Sequence, residues 1–235
     1  METGSLLGHL VSRFVSQREN LATEALGYVL GRSPAARRGF LSFIQALGIT
    51  ISGTLAFRTQ EAGADGSIPD LVGADVDGRP IVLLEAKFDA VLTDNQPVAY
   101  LNRLPLDQHA ILLFVGPAWR MGLLWAELVT RCRVASLELG NQRSVSPELI
   151  VRPVSSSHLL ALSSWRTLLS HLQVALNAEG DVAALSDIAQ LQGLCNRMDD
   201  EAFLPVRSEE LSAAVPSRLI QLNRVLDEVV DRAVR

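Results

Sequence analysis

The chain has 235 residues, of which 48% are hydrophobic and 20% charged, a composition that supports a buried core and excludes a chain kept disordered by its charges. Its net charge of −5 argues against a protein that coats nucleic acid through a general positive field and leaves room only for a local basic groove. The longest apolar runs, such as Ala110 to Val115, fall far short of the roughly 20 residues that span a bilayer, and no charged-then-apolar leader precedes a small-residue cleavage site. A cytoplasmic protein without membrane contact is expected.

Apolar positions at helical spacing (Leu6, Leu7, Leu10, Phe14, then Leu21, Ala25, Leu26, Val29), interrupted by Ser16 to Asn20, predict two helices over residues 5 to 30. Ser33-Pro34 is a helix-start pair, and Phe40, Phe43, Ile44 and Leu47 carry a third helix up to Gly48. From Ile49 the pattern turns extended. Two strands, Ser67 to Val76 and Pro80 to Lys87, flank Asp77-Gly78, a tight-turn pair. Ile81-Val82-Leu83-Leu84 is apolar throughout, as in a central strand buried on both faces.

A helix near 94 to 104, a strand at Ala110 to Val115, a helix at Trp119 to Thr130 and a strand at Arg133 to Leu139 complete an α/β core with a mixed sheet. After Pro153 the pattern predicts helices only, near 156–177, 181–198, 208–214 and 216–234. The expected division is an α/β domain over 1–152 and a helical appendage over 153–235.

The chemistry concentrates on the hairpin. A turn centred near position 77.5 places Asp70 opposite Glu85, and strand alternation puts Glu85 and Lys87 on one face with Ala86 turned away. Two converging carboxylates repel unless a cation lies between them, and hard oxygen ligands suit Mg²⁺ or Mn²⁺. A lysine beside them can orient or deprotonate an attacking water and offset phosphoryl charge. The bland alternative is a charged strand end carrying an ordinary Glu-Lys pair.

Ile68-Pro69-Asp70, followed after the hairpin by Glu85-Ala86-Lys87, resembles the signature of the PD-(D/E)XK nucleases. The order of helix, three-stranded meander, helix and strand is similar to that family's core. The resemblance spans roughly residues 17 to 140 and implies a restriction-endonuclease-like fold and a metal-dependent deoxyribonuclease. It further implies that Asp70, Glu85 and the Ala86 carbonyl bind the metal and that Lys87 is the catalytic lysine.

Gln96-Pro97-Val98-Ala99-Tyr100 resembles the QxxxY element of RecB-type members, which would place Gln96 and Tyr100 on one helix face, at nucleic acid or bracing the site. Alternatively Thr93 and Gln96 form a capping box and Tyr100 belongs to the core. Many members add an acidic residue from the first core helix; here Glu19 or Glu24 is available, with Glu19 the better placed. The partners implied are DNA, a second copy of the chain and, in defence against foreign DNA, a partner protein.

The remaining residues argue for little else. His9, His109, His158 and His171 are dispersed, Ser155 to Ser157 beside His158 read as helix-capping residues, and no glycine-rich phosphate loop is present. Trp119, Trp125 and Trp165 read as core anchors. Cys132 and Cys195, 63 positions apart without a His or Cys at ligand spacing, read as buried thiols. Arg32, Arg37 and Arg38, with Arg131, Arg133, Arg143 and Arg152, are candidates for a basic groove or for solvated element ends. Two readings compete with the nuclease: a catalytically silent binding or scaffolding module on the same fold, and an unrelated enzyme in which Asp70 and Glu85 do not converge.

Overall fold

Ser33 and Pro34 start a helix as their sequence predicts: the Ser33 hydroxyl accepts from Ala36 N at 2.9 Å, Pro34 occupies the first turn, and Ser33 also donates to Asp181 at 2.6 Å. The computed structural model describes residues 18–63, 67–155 and 157–201, with side chains over residues 20–199 of these. The helices expected before residue 17 and after residue 202 lie outside the described residues. Residues Met1–Ala202 form one compact unit and Phe203–Arg235 a second, so the fold described is that of the first.

Helices α1 (Arg18–Arg32) and α2 (Pro34–Ala46) precede strands β1 (Ala56–Thr59), β2 (Leu71–Ala74) and β3 (Pro80–Ala86). Helix α3 (Val98–Arg103) leads to β4 (Ala110–Gly116), and α4 (Met121–Val134) follows a short 3₁₀ turn at Ala118–Arg120. Then come β5 (Arg143–Ser146), β6 (Leu149–Val154), β7 (His158–Ser164), α5 (Trp165–Glu179) and α6 (Val182–Glu201). The seven strands form one mixed sheet in the order β1-β2-β3-β4-β7-β6-β5. β3, β4 and β7 are mutually parallel in register, while β1-β2-β3 and β7-β6-β5 are antiparallel meanders on either side. The α/β class and mixed sheet expected from the sequence are present.

The core runs along the three parallel strands. Every residue of β4 and β7 is buried, and so is β3 from Ile81 to Ala86, as continuous apolar runs require when helices cover both faces. Helices α1, α2, α5 and α6 pack on one another, with α2 on α5 and α1 on α6. Gly39 and Ala175 set the close approach of α2 to α5: a Cβ at Gly39 would lie 2.8 Å from the Ala175 methyl. Among the described residues, no helix is long and apolar enough to cross a membrane.

Several expectations require correction. Residues 158–164, expected as helix, are strand β7 at the centre of the sheet; their leucines follow the buried pattern of a strand covered on both faces, and the helix starts only at Trp165, capped by Ser164. Residues 152 and 153 therefore lie inside β6, and the sheet continues across the boundary expected there. Arg133 to Leu139 is not a strand: α4 runs on to Val134, a turn at Ser136 with positive φ follows, and Leu139 makes a single bridge to Val154. Of the extended stretch from Ile49, only Ala56–Thr59 is a strand. Helix α3 begins at Val98, with residues 94–97 forming a turn before it.

Candidate functional site

The two acidic residues meet at the end of the sheet where the parallel strands finish. β2 and β3 pair Leu71 with Leu84, Val72 with Leu83 and Gly73 with Val82, a register that carries Asp70 alongside Glu85 at the next position. The turn itself is centred on Asp77: Ala74 faces Pro80, and Asp75 N donates to Arg79 O at 3.0 Å. A bulge between Gly73 and Ala74 then shifts the pairing by one and sets the register that aligns the carboxylates. Asp70 Oδ2 accepts from Ala86 N at 2.8 Å, tying the first carboxylate to the backbone between Glu85 and Lys87.

Glu85 and Lys87 share a face, as two-residue alternation demands, and Lys87 Nζ lies 2.8 Å from Glu85 Oε1. Both are almost fully buried, with side-chain exposures of 6% and 7%. Gln96 Nε2 also donates to Glu85 Oε1, at 2.6 Å, and to the Tyr100 hydroxyl oxygen at 3.1 Å. The Tyr100 hydroxyl in turn donates to Ile68 O at 3.0 Å, two residues before Asp70. Burial, and after it the charge of Glu85, pushes the Tyr100 phenol well above its ordinary value, so it remains a donor. The turn before α3 and α3 itself thus brace both halves of the hairpin, Glu85 through Gln96 and the approach to Asp70 through Tyr100. Arg103, one turn further along, adds bonds to Glu61 O and Ser67 O at 3.1 and 3.2 Å.

Neither alternative drawn for Gln96 holds as drawn: Gln96 lies in the turn before α3 and not on its face with Tyr100, and α3 is capped at Pro97 without a side-chain bond, so Thr93 and Gln96 form no capping box. Thr93 N donates to Gln96 Oε1 at 3.2 Å and Gln96 N to Thr93 O at 3.0 Å, closing the turn before α3, while the Gln96 amide nitrogen serves the site. Tyr100 is buried as a core residue would be and still lends its hydroxyl to the hairpin. Asp70, Glu85, Ala86, Lys87, Gln96 and Tyr100 are therefore brought together. The Glu19 side chain lies outside the described residues, and Glu24 is exposed on α1.

Glu85 Oε2 is buried without a hydrogen-bond partner. An orphaned carboxylate oxygen beside a second carboxylate is a donor set that fits a hard divalent cation, with the Ala86 carbonyl as a third oxygen. Among the described residues no three His, Cys, Asp or Glu side chains cluster as metal ligands, so any such cation would draw its remaining ligands from backbone and water.

The basic residues singled out in the sequence mostly serve the fold. Arg32 lies over the Tyr28 ring, Arg37 donates to Leu30 O and Gly31 O at the end of α1, and Arg38 pairs with Glu179. Arg143 donates to Leu47 O and Arg152 to Gly140 O. Arg103 and Arg120, which hold the loops flanking the hairpin, carry no sequence signal that separates them from other arginines; only the carbonyls they meet in space identify them. Compared with known proteins, the chain matches no family model, no curated protein and no solved structure.

Proposed function

We propose that the chain is a metal-dependent nuclease of the PD-(D/E)XK kind, with a restriction-endonuclease-like core, that hydrolyses phosphodiester bonds of DNA. The observation that carries this reading is the Glu85 carboxylate: one oxygen is held by Lys87 and Gln96, and the other is buried without a partner, on a residue that the strand register sets alongside Asp70. An ordinary ion pair at a strand end has no need of that arrangement. Burying a carboxylate oxygen unpaired is costly, and a bound cation would relieve that cost. The position of the site also supports the reading, since ligands of open α/β sheets bind beyond the carboxyl ends of the parallel strands, here β3 with β4 and β7 beside it.

Asp70, Glu85 and the Ala86 carbonyl would hold Mg²⁺ or Mn²⁺, which lowers the pKa of a bound water and neutralises charge on the scissile phosphate. Lys87 Nζ would orient an attacking water and offset the negative charge that develops on the phosphoryl group. Gln96 fixes the Glu85 carboxylate, and Tyr100 fixes the chain entering Asp70. The expected chemistry is one phosphodiester broken per water consumed: the water oxygen bonds to phosphorus, one P–O ester bond breaks, the water's proton is lost to solvent and the leaving oxygen takes one from solvent, while Lys87, already an ammonium in its pair with Glu85, accepts none. A second copy of the chain would supply the second active site needed to cut both strands.

The test is cleavage of linear, circular and single-stranded DNA with Mg²⁺ or Mn²⁺, comparing the protein with folded Asp70→Asn and Lys87→Ala variants. Cleavage that both variants lose supports the assignment. A silent binding module on the same fold is the second reading, favoured by the closure of Glu85 Oε1 by Lys87 and Gln96 and by the net charge of −5. DNA retained on a filter but left uncut with either metal selects it.

A further inference from the structure

We infer that Arg131, on α4 and 44 positions beyond Lys87 in the sequence, is a positioning residue for the site: its guanidinium fixes the turn that holds Gln96 on Glu85. Between β3 and α3 the chain runs from Lys87 to Pro97; beyond Phe88 only Leu92, Gln96 and Pro97 are buried, and Asp89, Ala90, Val91 and Thr93 to Asn95 face solvent. Side-chain packing gives such a segment few anchors, and its conformation rests on where its backbone carbonyls are bonded.

Arg131 meets that need at the end nearer Gln96. Its Nη1 donates to Thr93 O and, at 3.2 Å, to Gln96 O; its Nη2 donates to Leu92 O at 3.0 Å and to Glu127 Oε1 at 2.7 Å. Glu127 lies one helical turn before Arg131 and aims the guanidinium. Arg120 holds the other end, through Phe88 O at 2.8 Å and Ala90 O at 2.7 Å. The planar fork of five donors is what lets one side chain bind several carbonyls, and a lysine ammonium cannot reproduce it.

The geometry links Arg131 to the carboxylate in three bonds. Arg131 fixes the Thr93–Gln96 turn, Thr93 N fixes Gln96 Oε1, and the amide orientation that results points Nε2 at Glu85 Oε1 and Tyr100. With the amide held, Glu85 keeps its carboxylate fixed, with Oε1 on Gln96 and Lys87 and Oε2 unpartnered. Releasing the clamp frees Gln96 to turn away, and Glu85 then rotates about its own bonds. The consequence for a bound metal rests on the nuclease reading; the clamp itself does not.

The full-length chain labelled with ¹⁵N provides the test. The Gln96 side-chain amide signals are identified by their loss in Gln96→Ala, without metal present. In Arg131→Ala they are expected to move toward the positions of solvent-exposed glutamines, and Arg131→Lys is expected to behave like Arg131→Ala. Glu127→Ala, which leaves the carbonyl bonds in place, shifts them the same way by less and decides the matter if Arg131→Ala does not fold.

Calorimetric titration with Mn²⁺ is expected to give a Kd about tenfold weaker in Arg131→Ala than in the unaltered protein, the usual size of an effect exerted through a ligand's own supporting bonds. Gln96 signals that stay in place in the folded variants overturn the inference, as does an unchanged Mn²⁺ affinity when the signals have moved. If the unaltered protein takes up no Mn²⁺, the nuclease reading fails, and the Gln96 signals alone then confirm or overturn the clamp.

Discussion

Gln96 and Glu85 are joined by a buried hydrogen bond of 2.6 Å that crosses from the turn before α3 to the end of β3. Every polar atom of the Gln96 amide is engaged: Nε2 by Glu85 and Tyr100, Oε1 by Thr93 N. A hydrogen bond to a buried carboxylate contributes about 1.5–3 kcal/mol. Gln96→Ala is therefore expected to lower unfolding free energy by about 2 kcal/mol; on the nuclease reading it also lowers cleavage by roughly tenfold, the usual effect of removing a bond that supports a metal ligand. Gln96→Glu replaces the donor by a second carboxylate against Glu85, so it is expected to be the less stable of the two at neutral pH and to recover as one shared proton binds in acid. Urea unfolding at pH 7 and pH 5 checks this, and a Gln96→Glu variant as stable as the unaltered protein at pH 7 rules it out.

Lys87 and Glu85 form a pair with almost no solvent access. Removing one partner of a buried ion pair leaves the other uncompensated, at a cost of about 3–5 kcal/mol. Lys87→Met is expected to lose stability in that range, while Lys87→Met with Glu85→Gln loses less than the two single changes added together. On the nuclease reading Mn²⁺ restores more stability to Lys87→Met than it adds to the unaltered protein, because the freed carboxylate binds the ion with less competition. Thermal unfolding with and without Mn²⁺ measures both effects; single changes whose losses simply add would show that the pair is not coupled.

The pairing of Asp70 with Glu85 was legible in the sequence, although not for the whole of the physical reason. Asp77-Gly78 announced the turn, and the apolar run Ile81 to Leu84 announced a buried strand, but the register depends on a bulge at Gly73/Ala74 that no residue type signals from outside. The Ser33-Pro34 helix start was legible because capping is local chemistry between a hydroxyl and an amide three residues on. β7 was not legible. Leu159-Leu-Ala-Leu162 consists of good helix formers, lacks alternation because both its faces are buried, and is followed, after Ser163 and Ser164, by a real helix at Trp165. The carbonyl clamps of Arg103, Arg120 and Arg131 were equally hidden, since a backbone acceptor has no residue identity to read.

Gly116 ends β4 where Lys87 leaves β3, and Lys87 N donates to Val115 O at 2.9 Å. A Cβ at position 116 would lie 3.0 Å from the Lys87 carbonyl oxygen and 3.6 Å from Leu124 Cδ2. Backbone must yield there, and the backbone that yields carries Lys87. Gly116→Ala is expected to lose about 1–2 kcal/mol of stability, the overpacking cost less the entropy that alanine removes from the unfolded chain. Gly122→Ala in α4, where a Cβ meets nothing within 4 Å, serves as the control and is expected to be neutral or stabilising. Equal midpoints for the two variants in urea would remove Gly116 as a constraint on Lys87.

His171 lies on α5 with its ring edge-on to Phe43, centroids 5.5 Å apart at 71°. Burial holds its imidazole below the ordinary value of 6.5, because the charged form loses water that the apolar surroundings do not replace. The unfolded chain then takes up a proton at a pH where the folded protein does not. Stability is complete above the ordinary histidine range and is lost as the pH falls from there through the lower folded value, after which the loss levels off. Asp75, Asp181 and Glu179, whose carboxyls are also held below their ordinary values by hydrogen bonds from Arg79, Ser33 and Arg38, act in a lower window set by carboxylate protonation. His171→Leu keeps an apolar side chain against Phe43 and removes the titration. Its stability relative to the unaltered protein is expected to rise steadily as the pH is lowered from about 7 to about 5. Urea midpoints of the two proteins across that range decide it: a constant difference would assign the acid sensitivity to the carboxylates alone.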